Sequence, residues 1–107
     1  MVLRDEHCVP IPRGAPALAD AVTTELAEQI PLWTMVNQAL VRKFTCKDFR
    51  AAMAFVNRIA DLAEAENHHP DIFISYNIVK LDLSTHKING LSRNDFILAA
   101  KIDLLEN

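Results

Sequence analysis

"ENHHPDIFISYNIVKLDLSTH", residues 66–86, carries three of the chain's four histidines in two polar clusters, one at each end of an apolar, β-branched run. Read as one uninterrupted strand, the run would hold Pro70 and His86 about 53 Å apart, at about 3.3 Å per residue, and no single site would contain both clusters. A reversal near Tyr76-Asn77 would instead lay the second half beside the first and return His86 to the neighbourhood of His68 and His69. Val79, Leu81 and Leu83 alternate with Lys80, Asp82 and Ser84, the period-two pattern of a strand with one buried face. The sequence permits a hairpin here, and a shared histidine site would require one.

Upstream, Phe49, Ala52, Met53, Val56, Ile59, Ala60 and Ala63 recur at helical spacing, and Thr45 with Asp48 resembles a capping box. A helix over about 46–66 follows. "LWTMVNQALVRKFT" (32–45) offers two strand-forming runs broken at Asn37-Gln38, a hairpin whose turn lacks glycine. Leu18, Val22, Leu26 and Ile30 give a short helix that Pro31 stops. Residues 1–16 hold three of the five prolines and no period, so they read as an irregular surface arm.

Downstream, Ser92 and Asp95 form a second capping-box pattern ahead of "FILAAKIDLL". That helix, about 93–105, is apolar on nearly every side, whereas a helix on one sheet face needs a single stripe. The spacing therefore predicts that a second subunit covers it. The order helix, two strands, helix, two strands, helix gives an α+β fold, a four-stranded antiparallel sheet with helices packed on one face.

A chain of 107 residues is one domain, 1–107, because two cores would each bury too little surface to be stable alone. Eleven Lys and Arg against fourteen Asp and Glu, with no long basic run, argue against direct nucleic-acid binding. Mean hydropathy is +0.08, and half the residues are apolar, consistent with apolar surface between subunits. No 18-residue apolar span or export segment occurs, and Cys8 and Cys46 match no zinc spacing, so a cytoplasmic protein with reduced thiols is expected, with no membrane contact.

His68 and His69 lie just past a helix C-terminus, where the macrodipole favours a protonated imidazole. Pro70 biases His69 to an extended backbone, so the adjacent side chains should diverge toward different atoms of one ligand. Purely structural roles compete: the pair as a cap for the last helical carbonyls, His86 as a strand-end residue, Asp95 as only the partner of Ser92. A three-histidine zinc site is a further reading, although no HxH or HExxH spacing occurs; His7 and Cys8 could also ligate as a pair.

Glu64, His68, His69, Pro70, Tyr76, His86 and Asp95 fall at the gaps of a known signature, and "PLW", "FTCKDFRAAMAFVNRIADLAE" and "LSTHKINGLSRNDFILAAKID" extend the likeness over about 31–103. On these residues the chain resembles the pterin-4a-carbinolamine dehydratases, also called dimerization cofactors of a homeodomain transcription factor. It departs at Ile72, where several relatives carry tryptophan and where the pocket wall would change, and at Ser92, where threonine is common. The resemblance implies dehydration of 4a-hydroxytetrahydropterin to quinonoid dihydropterin, recycling the cofactor of aromatic amino-acid hydroxylases without a metal or organic cofactor of its own. It implies His69 as general base and His68 and His86 as general acids for the two faces from which hydroxyl leaves. Asp95 would orient His86, Glu64 would be a site-edge acid or a solvated helix residue, and Pro70 would shape the substrate site. It also implies a homodimer or homotetramer, a hydroxylase or other protein as a partner, and, as the alternative function, a non-catalytic dimerization or assembly role.

Overall fold

The computed structural model describes residues 2–105. In chain order it contains α1 (Asp20–Ala27), β1 (Thr34–Val36), β2 (Ala39–Thr45), α2 (Phe49–Glu66), β3 (Asp71–Ser75), β4 (Ile78–Leu83) and α3 (Arg93–Ile102), with 3-10 turns at Leu3–Asp5 and His86–Ile88. The strands form one antiparallel sheet in the order β1-β2-β4-β3, the expected α+β architecture. Both hairpins reverse over two residues. Asn37 and Gln38 have φ of 48° and 66°, the pair of positive values that a tight β-turn matching the strand twist requires. Tyr76 supplies φ 52° at the second turn, so β4 does run back along β3 and ends beside its start, with Asp82 opposite Asp71.

Alternation decides which sheet face is buried. Leu40 and Phe44 of β2 pair with Leu83 and Val79 of β4, and all four point to the core with Leu81. α2 covers them with Ala52, Phe55, Ile59 and Ala63. That line is rotated from the expected stripe: Phe55 is fully buried, while Phe49 and Met53 are 52% and 36% exposed. At 3.6 residues per turn the face centred on Ile59 admits Phe55 and leaves Phe49, Met53 and Ala60 toward one edge. Phe44 and Phe55 meet edge-on at 4.8 Å between centroids. The cap also differs from expectation. Asp48, not Thr45, is the N-cap of α2, and its carboxylate accepts the Ala51 N–H at 2.8 Å.

Two further expectations are corrected. α1 is shorter than 18–30, beginning at Asp20 and giving way at Glu28 to turns that end near Pro31. More consequentially, the second side of α3 is covered within the same chain. Phe96, Ile97, Leu98 and Ile102 are all buried, as is Leu3 of the N-terminal arm in the same core cluster. The arm is therefore packed onto the helix rather than lying loose on the surface, because α3 offers apolar side chains on more sides than the sheet and α2 can cover. A charged residue at Leu98 or Ile102 would break this core rather than a subunit contact.

Candidate active site

The end of α2 sets the direction of the first two histidines. Asn67 adopts the left-handed conformation (φ 53°), its N–H bonds to the Glu64 carbonyl, and the His68 N–H bonds to the Ala63 carbonyl at 3.2 Å. This pair of bonds is the Schellman motif, which ends a helix sharply and turns the following residues away from its axis. His68 and His69 then diverge, as expected next to Pro70. The His68 side chain is 12% exposed and its Nε2 lies 2.6 Å from Asp95 Oδ1; the His69 ring is 54% exposed and its Nε2 lies 2.6 Å from Glu64 Oε2. Neither ring caps a helical carbonyl.

His86 arrives from the other segment. After β4, Thr85 makes an isolated bridge to Gly90, whose carbonyl accepts the Thr85 N–H at 2.9 Å, and the chain between them forms the turn that His86 begins. A side chain at Gly90 would meet Ala17 at 2.8 Å, so this close crossing needs glycine. The result is a cavity of about 330 Å³ lined by His68, His69 and His86 together. Its size falls among small-molecule pockets.

Asp95 lies behind the cavity, fully buried. Its Oδ1 holds His68, and its Oδ2 accepts from the Thr85 hydroxyl at 2.8 Å and the Ser92 N–H at 2.9 Å. The assignment of Asp95 to His86 is thereby corrected: the carboxylate bonds to His68, Thr85 and Ser92 and makes no bond to His86. It performs both roles weighed for it, completing the capping box with Ser92 and fixing an imidazole. Glu64 and Pro70 do not line the cavity, and Glu64 is solvent-exposed against His69. Ile72 packs on the core instead of the pocket wall.

Several cavity residues besides Cys8 carry no signal in the sequence. The arm supplies Cys8, Val9, Pro10 and Ile11, and the helices supply Glu66 and Asn94. Glu66 has a side chain only 6% exposed; its Oε1 accepts the Cys8 N–H at 2.7 Å and its Oε2 lies 2.9 Å from His7 Nδ1. Burial pushes the Glu66 carboxyl up, but the Cys8 N–H, His7 and the Lys101 ammonium outweigh it, and the group sits below the usual carboxylate range. Burial and the adjacent Glu66 charge push the Cys8 thiol up to about 12, so it is held as a thiol and is a poor nucleophile. His7 Nδ1 is engaged by Glu66 and the Cys8 thiol by the Asn94 carbonyl, and among the described residues no group of three His, Cys, Asp or Glu is placed to hold a metal ion.

Glu6 is likewise lowered, first by its hydrogen bonds from Arg93, made at 2.7 Å through both Nε and Nη2. A carboxylate lowered in the folded state stabilises it fully above the ordinary glutamate value, about 4.3, and loses that contribution as pH falls through the lower folded value. The denaturation midpoint should therefore fall as pH drops from about 5 toward 3. Gln at Glu6 and Glu66 together should flatten this slope, and equal slopes in the two proteins would contradict it.

A sequence profile of the pterin 4 alpha carbinolamine dehydratase family matches residues 16–105. Relatives in Halorhodospira halophila and Rubrobacter xylanophilus, both provisionally named pterin-4-alpha-carbinolamine dehydratase, are 42% and 43% identical to the chain. The first alignment covers 98% of each chain, the second 96% of this chain and 97% of the relative. A crystal structure from Brucella melitensis, described as a transcriptional coactivator/pterin dehydratase, superposes with a TM-score of 0.77 at 34% identity, covering 81% of this chain and 95% of that one.

Proposed function

The chain belongs to the pterin-4a-carbinolamine dehydratase family, and from that premise we propose that it dehydrates 4a-hydroxytetrahydropterin to quinonoid dihydropterin by histidine acid-base catalysis. One observation carries the reading: three imidazoles from two separate segments line one cavity of small-molecule size. The reaction removes water from adjacent atoms. A proton goes to the C4a hydroxyl oxygen as the C–O bond breaks, and a proton leaves the ring nitrogen as the carbon–nitrogen double bond forms. Histidine, with an unperturbed pKa near 6.5, serves as acid or base near neutrality. In this reading His69 takes the nitrogen proton, and His68 and His86 deliver a proton to hydroxyl leaving from either face. Asp95 holds the His68 ring, and the chemistry calls on no metal or organic cofactor.

The direct test is stopped-flow decay of enzymatically generated 4a-hydroxytetrahydropterin, which purified protein should accelerate over buffer. The pterin pool and the aromatic amino-acid hydroxylase it would serve place the protein, in this reading, in the cytoplasm. No helix among the described residues is long and apolar enough to cross a membrane.

A second reading, assembly partner of another protein, is favoured by the coactivator in the description of the Brucella structure. It predicts protein binding that survives loss of the histidines. Either role is compatible with self-association as a dimer or tetramer. Phe49, Met53, Phe73 and Ile74 expose apolar surface that a second copy would cover. Light scattering at micromolar concentration should give a multiple of 12.0 kDa, and a mass equal to one chain would remove self-association.

A further inference from the structure

We infer that Glu66 and Asn94 are positioning residues that clamp the N-terminal arm in place as the outer wall of the histidine cavity, making Val9 and Ile11 part of the substrate site; this rests on the dehydratase reading. Between Glu6 and Ala19 the chain forms no helix or strand, so its course near the cavity depends on bonds made by other elements. Glu66 accepts the Cys8 N–H. Asn94 then grips the next residue from both sides: its Oδ1 accepts the Val9 N–H at 3.0 Å and its Nδ2 donates to the Val9 carbonyl at 2.6 Å. The Cys8 thiol donates weakly to the Asn94 carbonyl at 3.5 Å.

Three of these contacts fix backbone polar groups of the arm, and they do so at the stretch that lines the cavity. Glu66 also occupies the last turn of α2, where the helix dipole disfavours a carboxylate. The local helix alone gives no reason for an acid there; the arm does. Val9, Pro10 and Ile11 line the same cavity as the imidazoles, and their apolar character suits the flat face of a bicyclic heterocycle. Binding there and proton transfer at the histidines are then separate contributions.

The separation sets the test. Glu66→Ala should raise KM about tenfold while kcat stays within about threefold, because only ground-state and transition-state binding in common is lost. Glu66→Gln, which keeps an amide oxygen for the Cys8 N–H, should recover most of that KM. In hydrogen exchange, the Cys8 and Val9 amides should lose protection in Glu66→Ala while those of α3 keep theirs. Ile11→Ala, at a partly exposed position that cannot threaten the fold, should raise KM about fivefold by the same route. An unchanged KM in Glu66→Ala and Ile11→Ala, or a fall in kcat alone, would overturn the inference even with wild-type turnover intact. Absence of wild-type turnover would instead remove the dehydratase reading on which it rests.

Discussion

His69→Ala should lower kcat/KM by about 10² to 10⁴, the range of a lost general acid or base, and more than either His68→Ala or His86→Ala. The reason is that one base serves hydroxyl departure from both faces in the proposed mechanism, whereas each acid serves one. His69 is also the histidine whose removal is simplest to interpret. Its ring is more than half exposed and bonds to an exposed Glu64, so truncation leaves no buried group unpaired. His68→Ala, by contrast, would leave one oxygen of the buried Asp95 without its partner and mix lost stability with lost chemistry. Steady-state rates with a substrate of defined 4a configuration would check this. If His69→Ala kept more than a third of the wild-type rate, the base would have to be sought at His68 or His86.

Among changes at the site, the largest effect on stability should come from Asp95→Ala. The substitution leaves the Ser92 N–H without this acceptor, reduces the Thr85 hydroxyl to its bond with Ser92 Oγ and releases the His68 ring, all of which now share one fully buried carboxylate. Losing these three bonds to one buried carboxylate costs about 2 to 5 kcal/mol in sum, a large share of the stability of a small domain. The same change should lower turnover about tenfold or more under conditions where the variant remains folded, because the tautomer and orientation of the His68 ring are no longer held. Urea denaturation measures the first effect and activity at low temperature the second. A midpoint within error of wild type would show that the network relaxes without Asp95, contrary to its three short contacts.

Much of this arrangement was legible in local patterns. The alternation of Val79, Leu81 and Leu83 and the polar Tyr76-Asn77 break foretold the hairpin that returns His86 to the His68-His69 pair. The Ser92 and Asp95 spacing foretold the start of α3. What eluded the sequence depended on how elements cross. Which imidazole Asp95 meets is decided by where the α3 N-terminus passes the end of α2, and spacing along the chain favoured neither His68 nor His86. The sequence shows residues 1–16 only as an irregular surface arm because its tethers are aperiodic: one buried Leu3, the Arg93–Glu6 pair and the backbone of Cys8 and Val9. For the same reason the sequence predicts a partner subunit on α3, whose extra apolar face is covered by an arm not visible as a regular element. Glu66 carries no sequence signal of its own, because its partners Cys8 and His7 lie 58 and 59 residues away along the chain.

The central claim, that one pocket of three histidines dehydrates a 4a-hydroxytetrahydropterin, is tested most directly by comparing wild type with the triple variant His68→Ala/His69→Ala/His86→Ala in the stopped-flow decay, with folding of both verified by circular dichroism. Wild type should remove the intermediate faster than buffer, and the folded triple variant should decay at the buffer rate. A wild-type trace no faster than buffer, or a triple variant as fast as wild type, would contradict the claim.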